Sequence, residues 1–461
     1  MIQSSDDHEK IVSRLQTVSL LEIPHTDIWI EQYRSVMRLC ELNQSQSSLP
    51  KPQAKQIYKT IDQHNKLSIL IENLVYMNTW FGKVIQCNQS MISEMPQTDI
   101  FKYFSSLYWV NIFRFVDSLV YFVDSNSNDT EYIADLIELC AEKIVVSIQE
   151  VKNILEVYNS ISRLQDGKIN HDLKLKYDIF CSAISTLCTI ILNINDHPIS
   201  ISYFCFQKFN ALGLLASLLE KSQLFRMQVG NGDNRYVTYS AGGKFELVDE
   251  EEKMTLTHLE CKIWMSICSA FRSKTFLDYY QSNIDREKEL LVRRLMKFDS
   301  ENLRLQLEPI KALMQHLNQI CLSMDSSRVK SNENKLFKTK QGVPLLIEQE
   351  TELRHRILKE LQKNDAEIKS QLVEFFSDPE KLREFATKIA SIFEETSETN
   401  NARSIERNIK NQGQGDAIKM SGKCSTCFSH TSKRCGRCKS VWYCNRECQV
   451  KNWSKHKPQC R

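Results

Sequence analysis

The residues best suited to chemistry in this 461-residue sequence lie near its C-terminal end. In order they read Cys424-x2-Cys427-x7-Cys435-x2-Cys438-x5-Cys444-x3-Cys448-x7-His456-x3-Cys460, eight soft or borderline ligands in four pairs. A two-residue gap lets a tight turn aim both sulfurs at one ion. A three-residue gap puts Cys444 with Cys448, and His456 with Cys460, on one face of a helical turn. Eight such ligands fill two tetrahedral Zn²⁺ sites with no open position, so the pattern predicts two zinc ions per chain.

A disulfide cluster is the competing account of so many cysteines. Seven is an odd number, and a histidine completes the pattern. The opening Met1-Ile-Gln-Ser-Ser-Asp-Asp-His has no basic segment followed by an apolar stretch, so no signal peptide is expected. The apolar runs near Ser118–Val123 and Ile184–Ile194 fall short of the roughly 18 residues of a membrane span. A reducing compartment, cytosol or nucleus, follows as the expectation. The other nine of the 16 cysteines are scattered from Cys40 to Cys321, mostly in apolar segments, and read as small buried hydrophobes. His430 lies outside the pair pattern and reads as an exposed loop histidine, with competing ligation as the other reading.

Charge is unevenly placed. The net charge is +3, yet residues 421–461 hold ten Lys/Arg against one acid, Glu447, leaving the first 420 residues at −6. A Cys₂His₂ DNA reader presents a helix of about twelve residues between its ligand pairs. Other ligands fill that space here, so no recognition helix is available and no specific nucleic acid is expected. The basic tail reads as a solvated face or as one that docks an acidic partner.

Helical periodicity governs what must position this tail. Only 12 glycines and nine prolines occur, which favours long helices over sandwiches and barrels. Leu67, Leu70, Leu74, Met77, Phe81 and Val84 make one apolar stripe at steps of three and four. Leu256, Leu259, Ile263, Ile267 and Ala270 make another, with Trp264 beside it. Phe101–Val123 is apolar nearly all round and predicts a central buried helix. Polar breaks fall at Asn43–Lys51, Ser125–Thr130, Asp196–Pro198 and Met324–Gln341. No exact repeat period appears, so the expected class is all-α, an irregular armadillo/HEAT-like helical body. Arg235–Tyr239 and Lys244–Val248 flank Gly242-Gly243 and predict a small β-hairpin insert.

Pro344–Phe376 carries Leu346, Leu353, Ile357, Leu361, Ile368, Leu372 and Phe375 on one side and charges elsewhere. Asp378 and Pro379 stop it and start a second helix. This charged helical hairpin either packs on the body or binds a partner. Thr396–Gly422 is polar and without aromatics, a flexible linker. The expected organisation is thus 1–342 helical body, 343–395 charged hairpin, 396–422 linker and 423–461 finger.

The ligand spacing, with Trp442-Tyr443-Cys444, Cys448-Gln449 and Asn452-Trp453, resembles the MYND zinc finger. The resemblance implies interleaved ligation: Cys424, Cys427, Cys444 and Cys448 on one zinc, and Cys435, Cys438, His456 and Cys460 on the other. Crossed ligation ties together a module of about 40 residues, too small for a core of its own. It also implies a peptide-binding role, often toward proline-containing motifs, with Gln449 and Trp453 as the groove residues. Trp453 equally reads as the finger's own small core.

Enzyme motifs are missing. No Gly-Lys is followed by Ser/Thr in a phosphate loop, Gly230-x-Gly232 lacks the third glycine of a dinucleotide loop, and there is no His-Glu-x-x-His or Gly-x-Ser-x-Gly. Asn170-His171-Asp172 is not the Asn-His-Ser-Cys motif of SET methyltransferases. A wider resemblance runs through Ser432–Cys435, Trp442–Cys444 and Arg446–Lys451, and more weakly through Leu70–Val84, Phe101–Phe122 and Leu259–Phe276. The sequence is similar to a family of MYND-containing cytoplasmic assembly factors for axonemal dynein arms. That resemblance implies a non-enzymatic scaffold needed for cilium motility. Its implied partners are axonemal dynein chains, a leucine-rich-repeat CS-domain assembly factor and Hsp90-class chaperone machinery. Its implied location is the cytoplasm, around centrioles and the ciliary base. The alternative is a nuclear corepressor-type adaptor recruiting proline-containing peptides; the absence of a long basic run weighs against it.

Overall fold

The apolar stripes of the sequence are the buried faces of helices. The computed structural model describes residues 5–23, 26–44, 52–85, 98–123, 130–161, 171–229, 235–239, 245–248, 255–274, 276–277, 286–330, 352–395, 422–427, 430–431, 435, 438 and 441–457. Two compact units divide the chain, Met1–Ser397 and Glu398–Arg461. The first is helical: α1 (Ser5–Ser13), α2 (Asp27–Gln44), α3 (Pro52–Gln63), α4 (Leu67–Thr79), α5 (Thr98–Val120), α6 (Thr130–Ile161), α7 (His171–Leu192) and α8 (Ile199–Tyr203). It continues with α9 (Ala211–Leu219), α10 (His258–Ala270), α11 (Arg286–Met296), α12 (Glu301–Gln306), α13 (Glu308–Lys330), α14 (Glu352–Ser377) and α15 (Pro379–Glu395). Helices α4 and α8 each run on into a π-helical turn, at Trp80–Ile85 and Phe204–Lys208.

Leu67, Leu70, Leu74, Met77 and Val84 are buried along α4 and its π-turn, as are Leu259, Ile263, Trp264 and Ile267 on α10. Fully burying such a side chain contributes about 1.5–3 kcal/mol. Helix α7 sits at the centre, packed by α5, α6 and α10. Its stretch Leu175–Leu192 has the length and apolar composition of a membrane span, but 83% of it is buried inside the body, as a core helix requires. One polar cluster pins these helices in register. Asp117 of α5 accepts from Ser185 and Thr189 of α7, both at 2.6 Å, and pairs with Lys262 of α10 at 3.3 Å.

Helix ends follow local chemistry. Thr257 and Glu260 form a reciprocal capping box at the start of α10. Asn210 takes a left-handed φ of 44° before α9, and its side chain accepts from the Gly213 amide. A Cβ on Gly213 would lie 2.7 Å from that carboxamide, so a side chain there would displace the Asn210 cap. Helix α13 runs through Lys330, past Met324 where the sequence reading begins a break. Strands β1 (Arg226–Val229), β2 (Arg235–Tyr239) and β3 (Phe245–Val248) form an antiparallel sheet in that order, with Tyr239 opposite Phe245 and Val229 opposite Arg235. The Gly242-Gly243 turn lies outside the described residues, and β1 is a strand the sequence reading did not include.

The charged hairpin of α14 and α15 packs on the first helices of the body. Its residues Leu353, Ile357, Ile368, Leu372 and Phe375 are buried. Arg354 pairs with Glu138 at 3.2 Å and Glu142 at 2.7 Å on α6, and Arg356 with Glu72 of α4 at 2.5 Å. Glu360 accepts from the Tyr76 hydroxyl at 2.8 Å. The Trp29 and Phe385 rings stack with centroids 6.0 Å apart. Asp378 caps α15, accepting from the amides of Glu380 and Lys381 at 2.9 and 3.3 Å. Leu346 and the linker 396–421 lie outside the described residues.

Candidate metal centre

In the second unit, short strands and one helix carry the ligands. Strands β4 (Gly422–Lys423) and β5 (His430–Thr431) pair antiparallel, Gly422 opposite Thr431, and frame the turn holding Cys424 and Cys427. The Ser425 amide donates to the Trp442 carbonyl at 3.0 Å and the Cys435 amide to the Val441 carbonyl at 2.8 Å, which ties the two halves of the finger together. Helix α16 (Arg446–His456) opens on Asn445, whose side chain accepts from the Cys448 amide at 2.8 Å. The Thr426 hydroxyl donates to the Cys448 carbonyl at 2.6 Å. Both backbone groups of this ligand are therefore held by side chains.

The ligand atoms converge in two groups. Those of Cys424, Cys427, Cys444 and Cys448 all lie within 4.8 Å of one another, and so do those of Cys435, Cys438 and His456. The sulfur of Cys444 is 3.4 Å from that of Cys427 and 3.4 Å from that of Cys448. Cys438 Sγ is 3.3 Å from His456 Nε2. A tetrahedral zinc with bonds of about 2.3 Å sets sulfurs roughly 3.8 Å apart, so the four donors of the first group fit that ion in number and spacing, and the three described donors of the second fit it in spacing. The grouping is interleaved along the chain. Seven of the eight sequence-predicted ligands are thus brought together; Cys460 lies outside the described residues. His430 lies on β5, and its side chain lies outside the described residues.

Within the first group, the surroundings pull the thiols' proton affinities apart. Burial raises the Cys424 thiol, but the amides of Cys427, Cys444 and Thr426 outweigh it and bring the group down to about 6. The hydrogen bond with Cys444, followed by burial, pushes Cys448 up to about 12. Thiols this close cannot all ionise side by side; a divalent cation among them lets all four do so.

Around the ligands sits a miniature core. Cys424, Cys435 and Tyr443 are buried, with Val441 and Trp453 packed against them. Tyr443 and Trp453 place their rings 5.9 and 5.8 Å from that of His456, and Asn452 donates to the Tyr443 hydroxyl at 3.2 Å. Trp453 is half-buried, one part against this core and the rest open to solvent. Gln449 is also half-buried, and its side-chain amide donates to Cys435 Sγ at 3.6 Å. Sequence reasoning missed Asn445 and Thr426. Asn445, three residues before Cys448, is a recognisable N-cap signal.

Helical body and two-centre finger together define a helical protein carrying a MYND-type finger, the make-up of a protein-interaction adaptor; residues 424–460 match the MYND finger family. Over 94% of its length the chain is similar, at 22% identity, to the zinc finger MYND domain-containing protein 10 homolog of Drosophila melanogaster, covering 93% of that protein. It is also 46% identical over 39 residues to human N-lysine methyltransferase SMYD2, which is 8% of this chain and 9% of that one, and the likeness is confined to the finger. No solved structure matches the chain.

Proposed function

We propose that this protein is a non-enzymatic cytoplasmic scaffold for preassembly of outer and inner axonemal dynein arms. The observation that carries the reading is similarity to the zinc finger MYND domain-containing protein 10 homolog along nearly the whole chain, beyond the finger shared with unrelated enzymes. In this role the finger holds two zinc ions, one on Cys424, Cys427, Cys444 and Cys448 and one on Cys435, Cys438, His456 and Cys460. Contacts come from the helical body and from the finger, where Trp453 offers its open part to a peptide. Its partners are axonemal dynein chains, a leucine-rich-repeat CS-domain assembly factor and Hsp90-class chaperones, met in the cytoplasm near the ciliary base. Two sites on one chain raise avidity without new chemistry.

The test is loss of the gene in a ciliated organism. Cilia should form but beat poorly, with dynein arms missing in axoneme cross-sections and heavy chains depleted in a cytosolic blot. Normal arms, with the tagged protein in the nucleus on chromatin factors, would replace this reading by the corepressor-type adaptor.

A further inference from the structure

The Gln449 carboxamide ties one metal site of the finger to the other. Gln449 directly follows Cys448, a ligand of the first group, yet its side chain donates to the sulfur of Cys435, a ligand of the second, at 3.6 Å. Cys435 is 2% exposed, and a buried thiolate needs donors in place of water. The backbone of Gln449 is itself fixed, its amide bonded to the Asn445 carbonyl at 3.3 Å inside the capped first turn of α16. A donor on this sulfur does two things to it. It fixes the side-chain rotamer, and it withdraws electron density from a thiolate that already shares its ion with other thiolates.

We infer that Gln449 is a positioning residue of the second zinc site, holding Cys435 in its binding geometry and coupling that site to the helix turn that carries Cys448. The inference rests on the two-zinc reading above. It gives Gln449 a task distinct from contacting a peptide, so loss of partner capture on changing Gln449 cannot by itself assign it to a groove.

The experiment uses the full chain loaded with zinc and mixed with a chromogenic chelator, alongside the same protein carrying Co²⁺. Wild type should release two equivalents slowly. Gln449→Met, of similar bulk but without the donor, should release one equivalent about 10–100-fold faster and leave the other at the wild-type rate. Gln449→Glu, which keeps the shape but sets a carboxylate against the thiolate, should release that equivalent faster still. In the Co²⁺ protein either change should move part of the sulfur-to-metal charge-transfer absorption to longer wavelength, because a sulfur without its donor gives up charge more easily. Unchanged release and absorption in both variants overturn the inference. So does equal acceleration of both equivalents, which marks general loosening of the finger. A wild-type chain binding fewer than two zinc ions removes the two-zinc reading itself, and the inference with it.

Discussion

At the scale of single residues, the finger and the body depend on opposite kinds of chemistry. The finger concentrates polarisable, ionisable ligands that are costly to leave without a cation. Structural zinc contributes on the order of 10–16 kcal/mol of apparent binding energy, which for so small a module is its folding energy. Cys427→Ala and His456→Ala should therefore each lower zinc below two per chain by elemental analysis and unfold the finger. The far-UV circular dichroism of the helices should stay near wild type, because they lie in a separate compact unit. The body instead hides a carboxyl that prefers its proton. Asp135 is 7% exposed, its Oδ1 has no hydrogen-bond partner among the described residues, and burial, then neighbouring Glu138, pushes it up to about 7. Its folded value lies above its unfolded one, so the native state binds the extra proton and stability falls as pH rises from about 4 to about 7. A shift of that size corresponds to roughly 4 kcal/mol. Asp135→Asn should raise the denaturation midpoint at pH 7.5 and flatten the pH dependence between 4 and 7; a midpoint equally far below wild type at both ends would count against this.

At the scale of elements, what could be read from the sequence was what neighbouring residues decide. The stripe from Leu67 to Val84 became the buried face of α4 and its π-turn, and Asp378-Pro379 became the cap and first turn of α15, because helix period and capping are local. The partners of those elements are not local. Arg354 and Glu142 are more than 200 residues apart, and no pattern in either helix says that they meet. The same holds in the finger. Spacing separates eight ligands into four pairs, but which pairs share an ion is decided by how β4, β5 and α16 come together, and here only the family resemblance supplied the answer. The docking of α15 gives its own test. Phe385 is 4% exposed, stacks on Trp29 and meets Phe375 edge-on with centroids 5.8 Å apart. Phe385→Ala should destabilise the body by about 3–5 kcal/mol in chemical denaturation. Hydrogen exchange should quicken across Pro379–Glu395 before it quickens in α7, which keeps α5, α6 and α10 around it.

At the scale of the whole molecule, the chain divides into Met1–Ser397 and Glu398–Arg461, and the scaffold role proposed above assigns a contact with another chain to each. The body is a broad helical surface closed by its own hairpin, while the finger is a small metal-built surface with half-buried Trp453 and a 66% exposed Val450 on α16. Neither need bind tightly if both engage one assembly, since linking two modest contacts raises avidity by about 10²–10⁴-fold. A chain ending at Met420 puts this to the test, because it keeps every described helix of the body and loses both ligand groups. It should retain the helical circular dichroism of the full chain and its cooperative thermal unfolding. Expressed in cells lacking the full protein, it should capture cytosolic dynein chains weakly and leave the arms missing in axoneme cross-sections. Full restoration of arms by the truncated chain would show that the body alone carries the function, and would leave the finger without a part in assembly.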